Sequence, residues 1–176
     1  RGVNVRLCTC LRPDSKGLSV LALRQMDSDQ VKMTPILKKA LEDALQETRG
    51  TVAYVNLVDK FSLKDKQHEL LKIAIKQGDQ GAGPVAADLL IKFDAADILK
   101  KALHADDSTS IGLLKSLKGK GNADVVALIS EVVQDSSQST NSRKTAVQIL
   151  GSSWPGEEKL LSLVKDPNFA NALKPA

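Results

Sequence analysis

The residues able to do chemistry are few and scattered. Cys8 and Cys10 lie two apart near the start of the chain, and the histidines are His68 and His104. A zinc centre takes about four Cys, His or carboxylate ligands at short local spacings. Cys8-Thr9-Cys10 is tighter than C-x-x-C and each histidine stands alone, so the sequence predicts neither metal nor cofactor. A disulfide between the two cysteines would be strained, because alternate residues of a strand point to opposite faces. Gly78-Asp79-Gln80-Gly81-Ala82-Gly83 precedes a helix start and raises the question of a phosphate cradle. It lacks the Lys-Ser/Thr ending of a P-loop and the buried strand before a dinucleotide loop, and reads as a helix–helix turn. Asp106-Asp107 and Glu157-Glu158 fall where helices begin, and there capping and the helix dipole account for acids. No Gly-x-Ser-x-Gly nucleophile elbow occurs. The expectation is a segment that does not itself catalyse.

Composition narrows the architecture that carries these residues. Of 176 residues, 42% are hydrophobic and 26% charged, as in a folded chain, but only 3% are aromatic. The core must be built from Leu, Val, Ile and Ala, which suits close-packed helices rather than a sandwich or barrel. Net charge is +4 and unevenly placed: residues 1–50 carry a surplus of three positive charges and residues 51–176 a surplus of one. A nucleic-acid binder more often shows a basic stripe, so the pI near 9.0 is weak evidence for a polyanion partner. No apolar run approaches the roughly 18–20 residues needed to span a bilayer. The chain opens on Arg1 rather than Met, as a processed product or an excised fragment would.

Apolar pairs set a beat. Leu70-Leu71, Ile98-Leu99, Leu128-Ile129 and Leu160-Leu161 follow one another at steps of 28, 30 and 32 residues. A second set, Leu89-Leu90, Leu113-Leu114 and Ile149-Leu150, falls between them at steps of 24 and 36. Two helices per unit of about 30 residues make a helical solenoid, whose units stack because one pair cannot bury its apolar face alone.

The element boundaries follow from local signals. Residues 1–17 fit a strand or a helical turn equally. Leu18, Leu21 and Ala22 permit a helix ending near Met26. Thr34-Pro35 opens a helix with Ile36, Leu37, Ala40, Leu41, Ala44 and Leu45 on one stripe, closed by Gly50. Residues 51–58 suit a short helix or a strand. From Lys64 the pattern sharpens into helices burying Leu70, Leu71 and Ala74, then Ala86, Leu89, Leu90 and Phe93. Asp94 is expected to cap a helix burying Ala95, Ile98, Leu99 and Ala102. Asp106 to Ser108 caps the next, with Leu113, Leu114 and Leu117 inward. Asn122 caps a helix with Val125, Leu128, Ile129, Val132 and Val133. Ser136 to Ser142 reads as a loop, followed by a helix with Ala146, Ile149 and Leu150. Trp154-Pro155 starts a last helix with Leu160, Leu161 and Val164 inward.

Arg143-Lys144-Thr145-Ala146-Val147-Gln148-Ile149-Leu150-Gly151 resembles the second helix of a HEAT repeat. Residues 143–166, with their Leu-Gly-x-Ser-Trp-x-Gly-Glu-x-x-Leu-Leu core, are similar to HEAT-like regions of large secreted bacterial proteins. In those proteins such repeats often precede a c-type cytochrome domain and follow a propeller or other catalytic domain. The resemblance implies an all-α fold: an α-α superhelix of stacked antiparallel pairs, HEAT-like or armadillo-type. It implies a single helical-repeat domain over 1–176, with degenerate helices at 1–62, HEAT-like pairs at 63–166 and a cap or tail at 167–176. It implies a periplasmic or extracellular place within a multidomain parent; without that context the expectation is cytoplasmic. Haem chemistry does not carry over, because covalent attachment needs Cys-x-x-Cys-His.

The function that follows is non-catalytic: an interaction scaffold or spacer whose partner is another protein or a neighbouring domain. Solenoids commonly bind along the row formed by their second helices. Outward candidates there are Asp88, Lys92, Lys115, Lys118, Arg143, Lys144 and Gln148, and Trp154 is a candidate binding anchor. The alternative is a nucleic-acid-binding HEAT-like protein with a basic concave face made by Lys115, Lys118, Lys120, Arg143 and Lys144.

Overall fold

Local capping chemistry sets several helix boundaries in the computed structural model, which describes residues 18–165. The Cys8/Cys10 pair, the strand-or-turn alternative at residues 1–17 and the tail at 167–176 lie outside these residues. All regular structure among the described residues is helical, so the all-α class holds. The chain divides into two compact units, residues 1–64 and 65–176. That division falls two residues from the 62/63 boundary read from the sequence.

The first unit holds α1 (Leu18–Gln25), α2 (Ser28–Met33), α3 (Pro35–Glu47) and α4 (Val52–Lys60). Asp27 caps α2 by accepting the Asp29 N–H at 2.8 Å, and Thr51 caps α4 by accepting the Tyr54 N–H at 3.4 Å. The strand alternative at residues 51–58 therefore resolves as helix. Each hydroxyl or carboxylate at such a position satisfies an N–H that the helix itself leaves open. The α3 stripe is Leu37, Leu41, Ala44 and Leu45. Ile36, expected on that stripe, is 74% exposed; it is rotated about 100° from Leu37. Helix α3 packs on α1, α2 and α4 over a core that includes Leu23, Val31, Leu57, Val58 and Phe61.

In the second unit a 3-10 turn, Lys64–Lys66, leads into α5 (Gln67–Gln77). There follow α6 (Gly83–Lys92), α7 (Ala96–Leu103), α8 (Asp107–Ser116), α9 (Ala123–Gln134), α10 (Thr140–Leu150) and α11 (Trp154–Val164). Sequence neighbours pair as expected in α5–α6, α7–α8 and α9–α10. The stacking order differs from a row of second helices. Helix α8 packs far more extensively on α5 than on α6, and α10 packs on α8. The continuous row is thus α5–α8–α10. Gly112 makes the first of these contacts close: a Cβ there would stand 2.4 Å from the Ile75 carbonyl oxygen.

Two boundaries, two inward residues and one face depart from expectation. Helix α7 is capped at Ala95, not at Asp94. Asp94 instead terminates α6 with φ +57°, which lets the Ala95 N–H reach the Leu90 carbonyl at 3.0 Å. The loop after α9 is shorter than Ser136–Ser142, because Ser139 caps α10 by accepting the Ser142 N–H at 3.1 Å. Leu71 and Ile98 are half-buried rather than buried. In α11 the inward residues are Gly156 and Leu163, while Leu161 and Val164 are 63% and 66% exposed. Gly156 and Leu163 are seven residues apart and share a face, which leaves Leu161 and Val164 turned outward.

The structure also exposes an internal repeat. Lys60-Phe61-Ser62-Leu63-Lys64-Asp65 and Lys92-Phe93-Asp94-Ala95-Ala96-Asp97 stand 32 residues apart. Ser62 and Asp94 both have positive φ, +50° and +57°. The Leu63 N–H reaches Val58 and the Ala95 N–H reaches Leu90, both at 3.0 Å. This is the Schellman helix ending, with Ser and Asp where glycine is usual. The buried set Tyr54, Val55, Leu57, Val58 and Phe61 of α4 recurs at the same offset as Ala86, Ala87, Leu89, Leu90 and Phe93 of α6.

Candidate interaction surface

The residues singled out from the sequence are spread over α6, α8 and the loop after it, α10 and α11. Asp88 and Lys92 are exposed on α6, outside the α5–α8–α10 row. Asp88 Oδ1 lies 2.5 Å from Lys120 Nζ, in an ion pair that ties the loop after α8 to α6. Lys115 and Lys118 are exposed on α8 and just beyond it, and Lys144 and Gln148 are exposed on α10. Arg143, expected to face outward, is buried, and its Nε donates to the Val133 carbonyl at 3.0 Å. The guanidinium braces the end of α9 against the start of α10. Trp154 opens α11 and is 73% exposed.

Both acidic pairs sit at helix starts. Asp106 accepts the Thr109 N–H at 3.1 Å and the Thr109 hydroxyl at 2.7 Å. The Thr109 hydroxyl first, and then its N–H, hold the Asp106 carboxyl below the usual range. Asp107 Oδ1 accepts the hydroxyl of the buried Ser142 at 3.2 Å, which links α8 to α10. Glu157 and Glu158 are exposed near the start of α11, and Glu157 lies in its first turn, at the positive end of the helix dipole.

A polar ladder joins α7 to α9. Lys100 Nζ meets Glu131 Oε2 at 2.7 Å, and four residues further along each chain His104 Nδ1 meets Asp135 Oδ2 at 3.1 Å. The equal steps follow from the helical repeat, which brings i and i+4 to one face. Asp135 Oδ1 also accepts the Ser137 hydroxyl at 2.6 Å and its N–H at 2.9 Å. These bonds from Ser137, with a smaller contribution from His104, hold the Asp135 carboxyl below its usual range. Serine and histidine lie on opposite oxygens of one carboxylate. The order is Ser–Asp–His, so Ser137 donates to the acid and not to an imidazole base, unlike a nucleophilic triad. Among the described residues no group of three or more His, Cys, Asp and Glu is placed to hold a metal ion.

On the outer face of α11 the sequence pointed to Trp154 but not to Leu161 and Val164, which it placed inward. Trp154, Leu161 and Val164 lie on this face together, at steps of seven and three residues. The sequence signal was there, because Gly156, Leu160 and Leu163 make a second stripe on the opposite side. Two apolar stripes on one short helix leave open which turns inward, and contact with α10 and α9 settles it. Glu157 lies between Trp154 and Leu161 on this face, Glu158 borders it, and Lys165 follows its end.

No protein-family model, curated protein or solved structure matches this chain. No helix among the described residues is long and apolar enough to cross a membrane.

Proposed function

We propose that this chain is a HEAT-like helical-repeat module that binds protein, as a scaffold or spacer, and does no catalysis of its own. The observation that carries this reading is the outer face of α11, where Trp154, Leu161 and Val164 present large apolar side chains to solvent. Large apolar side chains exposed on one helix face are the kind of surface that marks an interaction site, and Trp is enriched among residues that dominate binding energy. The recurrence of the α4 burial pattern and helix ending in α6 supports the repeat reading. Charge placement favours a protein over a polyanion. Lys120 is paired with Asp88, Lys100 with Glu131, and Arg143 is turned inward. Lys115, Lys118 and Lys144 are exposed, but a phosphate backbone needs a converging basic stripe.

Site-specific photo-crosslinking in cells that make the protein tests this. A photoreactive residue at position 154 or 161 gives a discrete protein adduct, and one at position 92 on α6 does not. The adduct from position 154 is lost when Leu161→Asp is added. Crosslinks to nucleic acid, or none from either α11 position, overturn the reading.

A further inference from the structure

We infer that the occupant of the α11 face is a second copy of this chain, docked by antiparallel α11–α11 pairing about a two-fold axis. This rests on the protein-binding reading above and names its partner.

The face is polar along its length. Glu157 and Glu158 stand near its start, Leu161 lies further along it, and Lys165 stands past its end, all of them exposed. Glu157 and Lys165 are each four residues from Leu161. An antiparallel pair centred on Leu161 therefore sets Leu161 against Leu161 of the second copy. The same arrangement brings Glu157 of each copy to Lys165 of the other, twice, by symmetry. A parallel pair would instead place acid beside acid. Closed two-fold contacts reuse one self-complementary patch, and this face is self-complementary in charge. Antiparallel alignment also sets the positive end of each helix dipole beside the negative end of the other. The inner stripe of α11 is already spent on its own unit through Gly156 and Leu163, so pairing on the outer stripe leaves the fold intact.

Sedimentation equilibrium of the full chain, up to high micromolar concentration, tests the inference. The wild type shows a monomer–dimer equilibrium. Leu161→Asp weakens it by more than about tenfold, with the helical circular dichroism unchanged because the side chain is exposed. Glu157→Lys and Lys165→Glu each weaken the dimer several-fold, and the double variant regains it. A chain that stays monomeric, a dimer indifferent to Leu161→Asp, or a double variant no better than the singles overturns the inference. The crosslinks separate the two claims. An adduct of twice the chain mass supports self-pairing. An adduct to a different protein sinks self-pairing and keeps the protein-binding reading, and no adduct sinks both.

Discussion

Gly112 of α8 lies directly on the backbone of Ile75 in α5. A Cβ at Gly112 would stand 2.4 Å from the Ile75 carbonyl oxygen and 3.2 Å from its Cγ2. Backbone oxygen cannot swing aside as a flexible side chain can. Gly112→Ala therefore forces α8 and α5 apart, at a cost of about 1–3 kcal/mol. That exceeds the gain of about 1 kcal/mol that alanine brings to a helix interior. The urea midpoint should fall, and an unchanged midpoint would show that the α5–α8 contact is looser than described.

Two buried serines should respond with opposite sign. Ser110 is fully buried and its hydroxyl has no hydrogen-bond partner. Removing an unsatisfied buried hydroxyl relieves a desolvation cost, so Ser110→Ala should stabilise by about 1 kcal/mol. Ser142 is equally buried, but its hydroxyl donates to Asp107 at 3.2 Å. Ser142→Ala should destabilise by about 1 kcal/mol, because a link between α8 and α10 is lost. Chemical denaturation of both variants side by side decides it.

The two repeated helix endings place non-glycine residues at positive φ, Ser62 at +50° and Asp94 at +57°. The left-handed region costs an L-residue roughly 1–2 kcal/mol. Glycine removes that strain but adds about 0.5–1 kcal/mol of unfolded-chain entropy. The net gain for Ser62→Gly is about 0.5 kcal/mol. Asp94→Gly should gain less, since aspartate tolerates this region better. Thermal unfolding that ranks the two variants the other way would count against this account.

Arg143 tests whether the basic residues near α10 serve binding or folding. Its Nε donates to the Val133 carbonyl from a buried position. Arg143→Ala removes that bond and the packing of the stem, and should lower stability by about 1–3 kcal/mol. The α11 crosslink yield, measured on the folded fraction, should be unchanged. A loss of crosslinking without a loss of stability would make Arg143 part of the binding surface.

Acid should unfold the second unit through two identified carboxylates. Hydrogen bonds from Thr109 lower the Asp106 value, and hydrogen bonds from Ser137 lower the Asp135 value. Each carboxyl favours the folded state when ionised. Its contribution is present above the ordinary aspartate range, near pH 4. It is lost as pH falls through the lowered folded-state value. Asp106→Asn with Asp135→Asn should therefore flatten the decline of the urea midpoint below about pH 4. An equally steep decline in the double variant would assign acid sensitivity to other groups.

Much of the helical inventory was legible because its causes are local. Asp106, read as a cap, accepts the N–H three residues on at the start of α8. The inward sets Leu89-Leu90 with Phe93 and Leu113-Leu114 with Leu117 follow from one helical face. Where the reading failed, a second local solution was available. Asp94 has the chemistry of an N-cap and also tolerates the left-handed region, and the Schellman bond to Leu90 used it for the latter. In α11 the reading placed Leu160, Leu161 and Val164 inward, whereas the buried residues are Gly156 and Leu163.

The amino-acid sequence by itself determined that this chain forms short amphipathic helices, and roughly where most of them begin and end, α2 excepted. Those properties depend on contacts within one or two helical turns. Only the tertiary structure decided that α8 stacks on α5, that Lys120 pairs with Asp88 thirty-two residues earlier, that Arg143 turns inward and that α11 presents Trp154 and Leu161 to solvent. Each of these depends on which distant surface arrives against a given helix. Close approach at Gly112 and the choice between two apolar stripes are settled by that packing, and a helical repeat carries no local signal of it.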